Sequence, residues 1–131
     1  MGRKMVSTAL LFGMIAIVLG AFGAHALKKV LSVDQINTFE TGVKYQMYHA
    51  LFLLFIGTTT LLTDKVKKVI LYLVGIGILF FSGSIYLLAT NDLTSFDFRL
   101  IGFITPIGGL LLICAWVIAF IGVIKNKKGK R

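Results

Sequence analysis

Four long stretches of this chain contain no Asp, Glu, Lys or Arg: Met5 to Leu27, Tyr45 to Thr63, Val69 to Asn91 and Leu100 to Ile124. A helix rises ~1.5 Å per residue and the hydrocarbon core of a bilayer is about 30 Å thick, so about 20 apolar residues cross it. Each stretch meets that requirement. Helices of a water-soluble bundle keep a polar outer stripe, whereas these blocks are apolar all round, and lipid is the solvent that can cover them. The fold class expected is all-α, a polytopic integral membrane protein with four transmembrane helices in an antiparallel bundle. Residues 1–131 then form a single transmembrane domain with spans at about 5–27, 45–63, 69–91 and 100–124.

Composition supports this reading. Charged residues make up 15% of the chain and apolar residues 57%, where a soluble domain carries roughly a quarter charged residues. The net charge of +9 does not indicate a nucleic-acid partner, because the basic residues stand in short segments between apolar blocks rather than on a folded polar face. Membrane lipids are the expected partner, with other membrane proteins or a second copy of the chain left open. Arg3 and Lys4, an apolar run and Ala24-His25-Ala26 imitate a cleavable secretory signal. The run is longer than the apolar core of such a signal, and we read it as a retained span.

With four spans, Arg3, Lys4, Lys65, Lys67, Lys68, Lys125, Lys127, Lys128, Lys130 and Arg131 share one side, leaving Lys28, Lys29, Lys44 and Arg99 on the other. Short cytoplasmic loops carry the excess of Lys and Arg, which places both termini in the cytoplasm. In the longest connection, Ser32 and Gln35 have the spacing of a capping box. Val33, Ile36 and Phe39 follow at helical spacing, so we expect a short amphipathic helix over about 33–41 in the outer interface, with a turn inward at Gly42. Glu40 and Lys44 stand four apart in the order that favours a surface ion pair.

Helices in lipid associate through close packing of small residues and a few hydrogen bonds. Candidate packing residues are Ala16, Gly20 and Ala24 in the first span, Gly83 in the third, and Gly108, Ala115, Ala119 and Gly122 in the fourth. Pro106, about two turns into the fourth span, should kink it or free a carbonyl there. The in-membrane polar residues His25, Tyr45, Gln46, His49, Ser82 and Tyr86 are expected to form a polar cluster near the outer surface. Ionisable groups inside spans are rare and often functional. Two histidines with no Cys, Asp or Glu beside them are nevertheless a weak ligand set, so no metal and no other cofactor is assigned. The lone Cys114 allows no disulfide within the chain, and no Ser-His-Asp set, HExxH or phosphate-binding Gly loop provides catalytic residues.

The segments Gly20-Ala21-Phe22-Gly23-Ala24-His25-Ala26-Leu27, Thr41-Gly42-Val43-Lys44-Tyr45-Gln46-Met47-Tyr48-His49-Ala50-Leu51, Gly83-Ser84-Ile85-Tyr86-Leu87 and Thr105-Pro106-Ile107-Gly108-Gly109, with Trp116, resemble the YgdD/YwdK-type family of small four-span bacterial inner-membrane proteins. The likeness covers almost the whole chain, and Lys44 is a small departure, where Gln or Arg is as readily expected. It implies the fold, location in the bacterial plasma membrane, and attention to His25 and His49, and it brings no reaction. The leading functional expectation is a non-enzymatic protein supporting membrane integrity or a membrane complex. Two alternatives stand beside it: a small-solute carrier or channel-like subunit, and a haem- or metal-binding redox module through His25 and His49.

Overall fold

The structure, a computed structural model, describes residues 1–126, so Lys127, Lys128, Lys130 and Arg131 of the charge count lie outside the described residues. Four helices account for most of the chain: α1 (Gly2–His25), α2 (Val33–Thr58), α3 (Asp64–Ala89) and α4 (Ile104–Lys125). Single 3-10 turns at Leu27–Lys29, Asn91–Leu93 and Phe98–Ile101 occupy the connections at one end of the bundle, called here the His25 end. The tight link from Thr59 to Thr63 lies at the opposite end, near Met1. No strand occurs among the described residues.

α2 begins where the capping box places it. The Ser32 hydroxyl accepts from the Gln35 N–H, and the Gln35 side chain accepts from the Ser32 N–H at 2.8 Å. The turn expected at Gly42 is absent, and α2 runs unbroken through the amphipathic segment into the second span. Glycine serves a different purpose there, because a Cβ on Gly42 would stand 2.6 Å from the Tyr86 ring. Close approach of α3 is what this position requires, and the packing offsets the roughly 1 kcal/mol that a mid-helix glycine costs. Glu40 and Lys44 form no ion pair; the ion pair among the described residues is Arg99 with Asp97, at 3.0 Å in the α3–α4 connection. Hydrogen bonding and attraction from Arg99 hold the exposed Asp97 carboxyl below the usual carboxylate range.

Pro106 does not interrupt α4. The helix starts at Ile104, later than expected, which puts Pro106 in the first turn, where no backbone N–H has a partner to lose.

α2 and α3 form the central antiparallel pair, α1 packs on α2, and α4 packs on α3. α1 and α4 are not packed neighbours and lie on opposite sides of the central pair. Met5, Leu53, Ile56, Ile70 and Val74 are fully buried toward the Met1 end. A smaller cluster of Leu27, Leu31, Phe39 and Ala89 closes the His25 end. The outward faces keep large apolar side chains such as Leu10, Ile17, Leu79, Leu110 and Phe120 exposed, as lipid requires.

Small residues set the helix spacing, with two departures from the expected stripes. Ala16 and Ala115 are completely buried, Ala119 nearly so, and Gly20 and Gly122 face Val43 and Leu62. Gly108 is the tightest point: a Cβ there would stand 2.4 Å from the Phe81 backbone N. Ala24 is exposed, and a Cβ on Gly83 would meet nothing within 4 Å. Each residue turns a helix by ~100°, so steps of four drift about 40° each, while a step of seven drifts only about 20°. The buried stripe of α1 is Met5, Ala9, Ala16 and Gly23, a seven-residue rhythm that leaves Ala24 off the face. On α4 the stripe Gly108, Leu112, Ala115, Ala119 alternates steps of four and three in the same way.

Three helices, containing α1, α3 and α4, are long and apolar enough to cross a membrane by length and composition. α2 is equally long, but Lys44, Gln46 and His49 lower the hydropathy of its apolar part below that of its neighbours.

Candidate functional site: polar ties between the helices

Backbone geometry aims the in-membrane polar side chains. On α2, Phe39, Gly42, Gln46, His49, Leu53 and Ile56 follow one another at steps of three and four and are buried together, so the polar residues occupy the helix-facing stripe rather than the lipid face. The expected polar cluster divides there into two assemblies on either side of the α2–α3 pair.

The first joins α1, α2 and α3. Gln46 Nε2 donates to the Phe12 carbonyl at 2.9 Å, and the Tyr86 hydroxyl donates to Gln46 Oε1 at 2.7 Å. One turn away, the fully buried Ser82 hydroxyl donates to the Gly42 carbonyl at 2.7 Å. The Tyr86 ring lies over Gly42 and 5.0 Å from the Phe39 ring, which in turn covers Gly23. Gln46 and Tyr86 line one wall of a groove of about 360 Å³ between α1 and α3, whose other walls are apolar.

The second joins α2 and α4. Trp116 Nε1 donates to His49 Nε2 at 3.0 Å, and His49 Nδ1 lies 2.8 Å from the Tyr45 carbonyl. An indole N–H only donates, so Nε2 is the accepting nitrogen and the ring proton belongs on Nδ1, facing the carbonyl. Both ring nitrogens are thereby engaged. The Phe52 ring stacks on Trp116 at 4.1 Å, and the Tyr45 ring meets Phe81 edge-on at 5.2 Å. A groove of about 340 Å³ between Tyr45, His49, Phe81 and Trp116 is again mostly apolar. A third contact, between the Ser84 and Thr105 hydroxyls, joins α3 to α4.

His25 takes no part in either assembly. It is exposed at the last turn of α1. Gly13 faces Ala50 and Gly20 faces Val43, so His49 stands half-way along α1, not near the outer surface as expected. His25 lies about 17 Å further along the axis at ~1.5 Å per residue. The two histidines cannot reach one iron or one metal ion. No group of three or more His, Cys, Asp or Glu able to hold a metal occurs among the described residues, and no buried side-chain polar atom among them lacks a hydrogen-bond partner.

Sequence reasoning missed several partners. The carbonyls of Phe12, Gly42 and Tyr45 are backbone groups that no residue pattern reveals. Trp116 was visible only among the residues that carry the family resemblance, with no sign that it faces His49. Phe39 and Gly23 were signalled only by a ring and a glycine at matching levels of antiparallel helices.

A helical bundle with three lipid-compatible spans, a fourth helix packed among them, and polar groups bonded from helix to helix defines a small polytopic membrane protein. Comparison with known proteins agrees. Residues 19–109 match the family described as Protein of unknown function (DUF423), and the chain belongs to that family. It is 44% identical over 112 residues to the UPF0382 membrane protein SSP2132 of Staphylococcus saprophyticus, covering 86% of this chain and 89% of the relative. The UPF0382 membrane protein of Haemophilus influenzae is 35% identical over 127 residues, covering 97% and 98%. The UPF0382 inner membrane protein YgdD of Escherichia coli K12 is 33% identical over 129 residues, covering 96% and 93%. The resemblance read from the motifs is thus to the family the chain belongs to. No solved structure matches it.

Proposed function

We propose that this protein is a non-enzymatic scaffold of the plasma membrane, supporting membrane integrity or a larger membrane assembly, with both termini in the cytoplasm. The observation that carries the reading is the use made of the polar side chains: Gln46, Tyr86, Ser82, His49, Ser84 and Thr105 are spent on bonds between helices. Catalysis or transport needs polar groups held open to a substrate, and the grooves beside these residues are walled mainly by apolar side chains. The orientation rests on the Met1 end, where Arg3, Lys4, Lys65, Lys68 and Lys125 gather with Asp64 as the acidic residue among them.

A deletion strain tests the scaffold reading. Survival after osmotic downshift and in sublethal detergent should fall, and should be restored by the wild-type gene and by His25→Ala combined with His49→Ala wherever that variant still accumulates. Unchanged robustness in the deletion strain, or solute flux through purified protein in proteoliposomes, refutes it. For orientation, an epitope after Arg131 should resist protease in intact spheroplasts and be cut after lysis; cutting before lysis reverses the assignment.

A further inference from the structure

At the basic end of the bundle, the Thr59–Thr63 link and the last turns of α4 enclose a crevice of about 550 Å³. Its lining combines the apolar Leu62, Val66, Ile118 and Ile121 with the exposed Thr60, Thr63 and Lys125. The link is fixed from both sides. Lys67 Nζ donates to the Thr59 carbonyl at 2.7 Å, and Asn126 donates to the Leu61 carbonyl. Lys67 thereby neutralises the carboxyl end of α2, a place where cations are favoured, and is buried in doing so.

Arg3, Lys4, Lys65 and Lys68 are exposed at the same end of the bundle, with Asp64 the acidic residue among them. A crevice lined by a cation and hydroxyls as well as by apolar side chains, set at the edge of a lipid-embedded bundle, matches a molecule with an anionic head and an alkyl tail. We propose that it binds one anionic phospholipid of the adjacent leaflet, the headgroup phosphate against Lys125, Thr60 and Thr63, and the start of one acyl chain against Ile118 and Ile121. Charge complementarity selects this occupant over a zwitterionic lipid, which offers the same chain without the net charge. The proposal holds for either orientation of the protein and does not depend on its role as a scaffold.

Native mass spectrometry of the full-length protein, exchanged into detergent and titrated with phosphatidylglycerol or phosphatidylcholine of identical acyl chains, tests it. A single phosphatidylglycerol adduct should survive collisional activation that strips phosphatidylcholine. Lys125→Gln should weaken the adduct about fivefold, the effect of one basic residue on an anionic headgroup, while Lys65→Gln, at the same end but outside the crevice, should leave it within twofold. Ile121→Trp, which fills the apolar half without altering charge, should remove it. Each variant is scored only with wild-type helical content, and the wild-type comparison needs no variant. Equal retention of the two lipids, equal losses for Lys125→Gln and Lys65→Gln, or an adduct that survives Ile121→Trp would show general attraction to the basic end and overturn the proposal.

Discussion

Replacing Gln46 by Leu removes a side chain that bonds to two other helices at once. The change keeps volume and helix propensity close to the original, so its effect isolates the polar contacts. Two bonds are lost, to the Phe12 carbonyl and from the Tyr86 hydroxyl, and interhelical bonds in membranes contribute about 0.6 kcal/mol each, with an upper value near 1.7. The Phe12 carbonyl keeps its own helical partner, but the half-buried Tyr86 hydroxyl loses its acceptor on Gln46 and keeps only the Ser82 hydroxyl beside it, which adds about 1 kcal/mol at the lower end of the usual range. We therefore expect Gln46→Leu to destabilise the bundle by about 2 kcal/mol. Tyr86→Phe should cost less, about 1 kcal/mol, because Gln46 keeps Phe12. In the double variant neither group is stranded, so the cost should fall short of the sum by roughly 0.6–1.7 kcal/mol. Equilibrium unfolding of purified protein in maltoside–dodecyl sulfate micelles, followed by Trp116 fluorescence, measures all four corners of the cycle. If Gln46→Leu shifts stability by under about 0.3 kcal/mol, or the two changes simply add, the claim that these side chains hold the helices together is wrong.

Gly108→Ala and Gly83→Ala make an opposed pair. A methyl group on Gly108 meets α3 backbone that cannot move aside, so its cost should exceed about 2 kcal/mol, whereas Gly83→Ala enters open space and should be neutral or stabilising by up to about 1 kcal/mol; micelle unfolding ranks them. His49→Phe should remove the Trp116 bond and cost about 0.6–1.7 kcal/mol, while His25→Ala, at an exposed helix end, should lie within about 0.5 kcal/mol of wild type. Trp116 sits opposite His49 at mid-height, so lipids brominated near the chain terminus should quench it more than lipids brominated near the headgroup, and the reverse order would displace α4 from a transmembrane position. Ser32→Ala removes half of the capping box and should fray the first turn of α2 at a cost of about 1 kcal/mol, seen as faster amide exchange at Val33–Gln35.

How far the sequence could be read depended on the kind of interaction. Four uncharged stretches are a one-dimensional property, and the four helices are where solvation by lipid puts them. The capping box at Ser32 is local and was equally visible. Gly42 was misread because the same residue serves a turn and a close helix approach, and only the position of Tyr86 separates the two. The packing stripe of α1 was misjudged for a geometric reason: steps of four look regular in sequence but wind around the helix, while the true stripe of Met5, Ala9, Ala16 and Gly23 includes a methionine that no search for small residues would choose. Gln46, Ser82 and Tyr86 were recognised as a group, yet their acceptors include main-chain carbonyls, which every residue has. The grouping of His25 with His49 failed because composition carries no axial register, and register separates them.

The position of α2 explains why the polar residues are where they are. Within the helix its uncharged part runs only from Tyr45 to Thr58, about 21 Å at ~1.5 Å per residue against about 30 Å of hydrocarbon, and even that part carries Gln46 and His49. Alone in a bilayer, α2 would expose an amide, an imidazole and a nearby ammonium to hydrocarbon. Within the bundle the burden is removed by its neighbours: Phe12 from α1, Tyr86 and Ser82 from α3 and Trp116 from α4 all bond to α2. Of the in-membrane ties described, only the Ser84–Thr105 contact does not end on this helix. The more apolar helices therefore supply the partners for the polar groups of the least apolar one. It follows that α2 cannot be exchanged for a generic hydrophobic span without losing the contacts that orient α1, α3 and α4 about it.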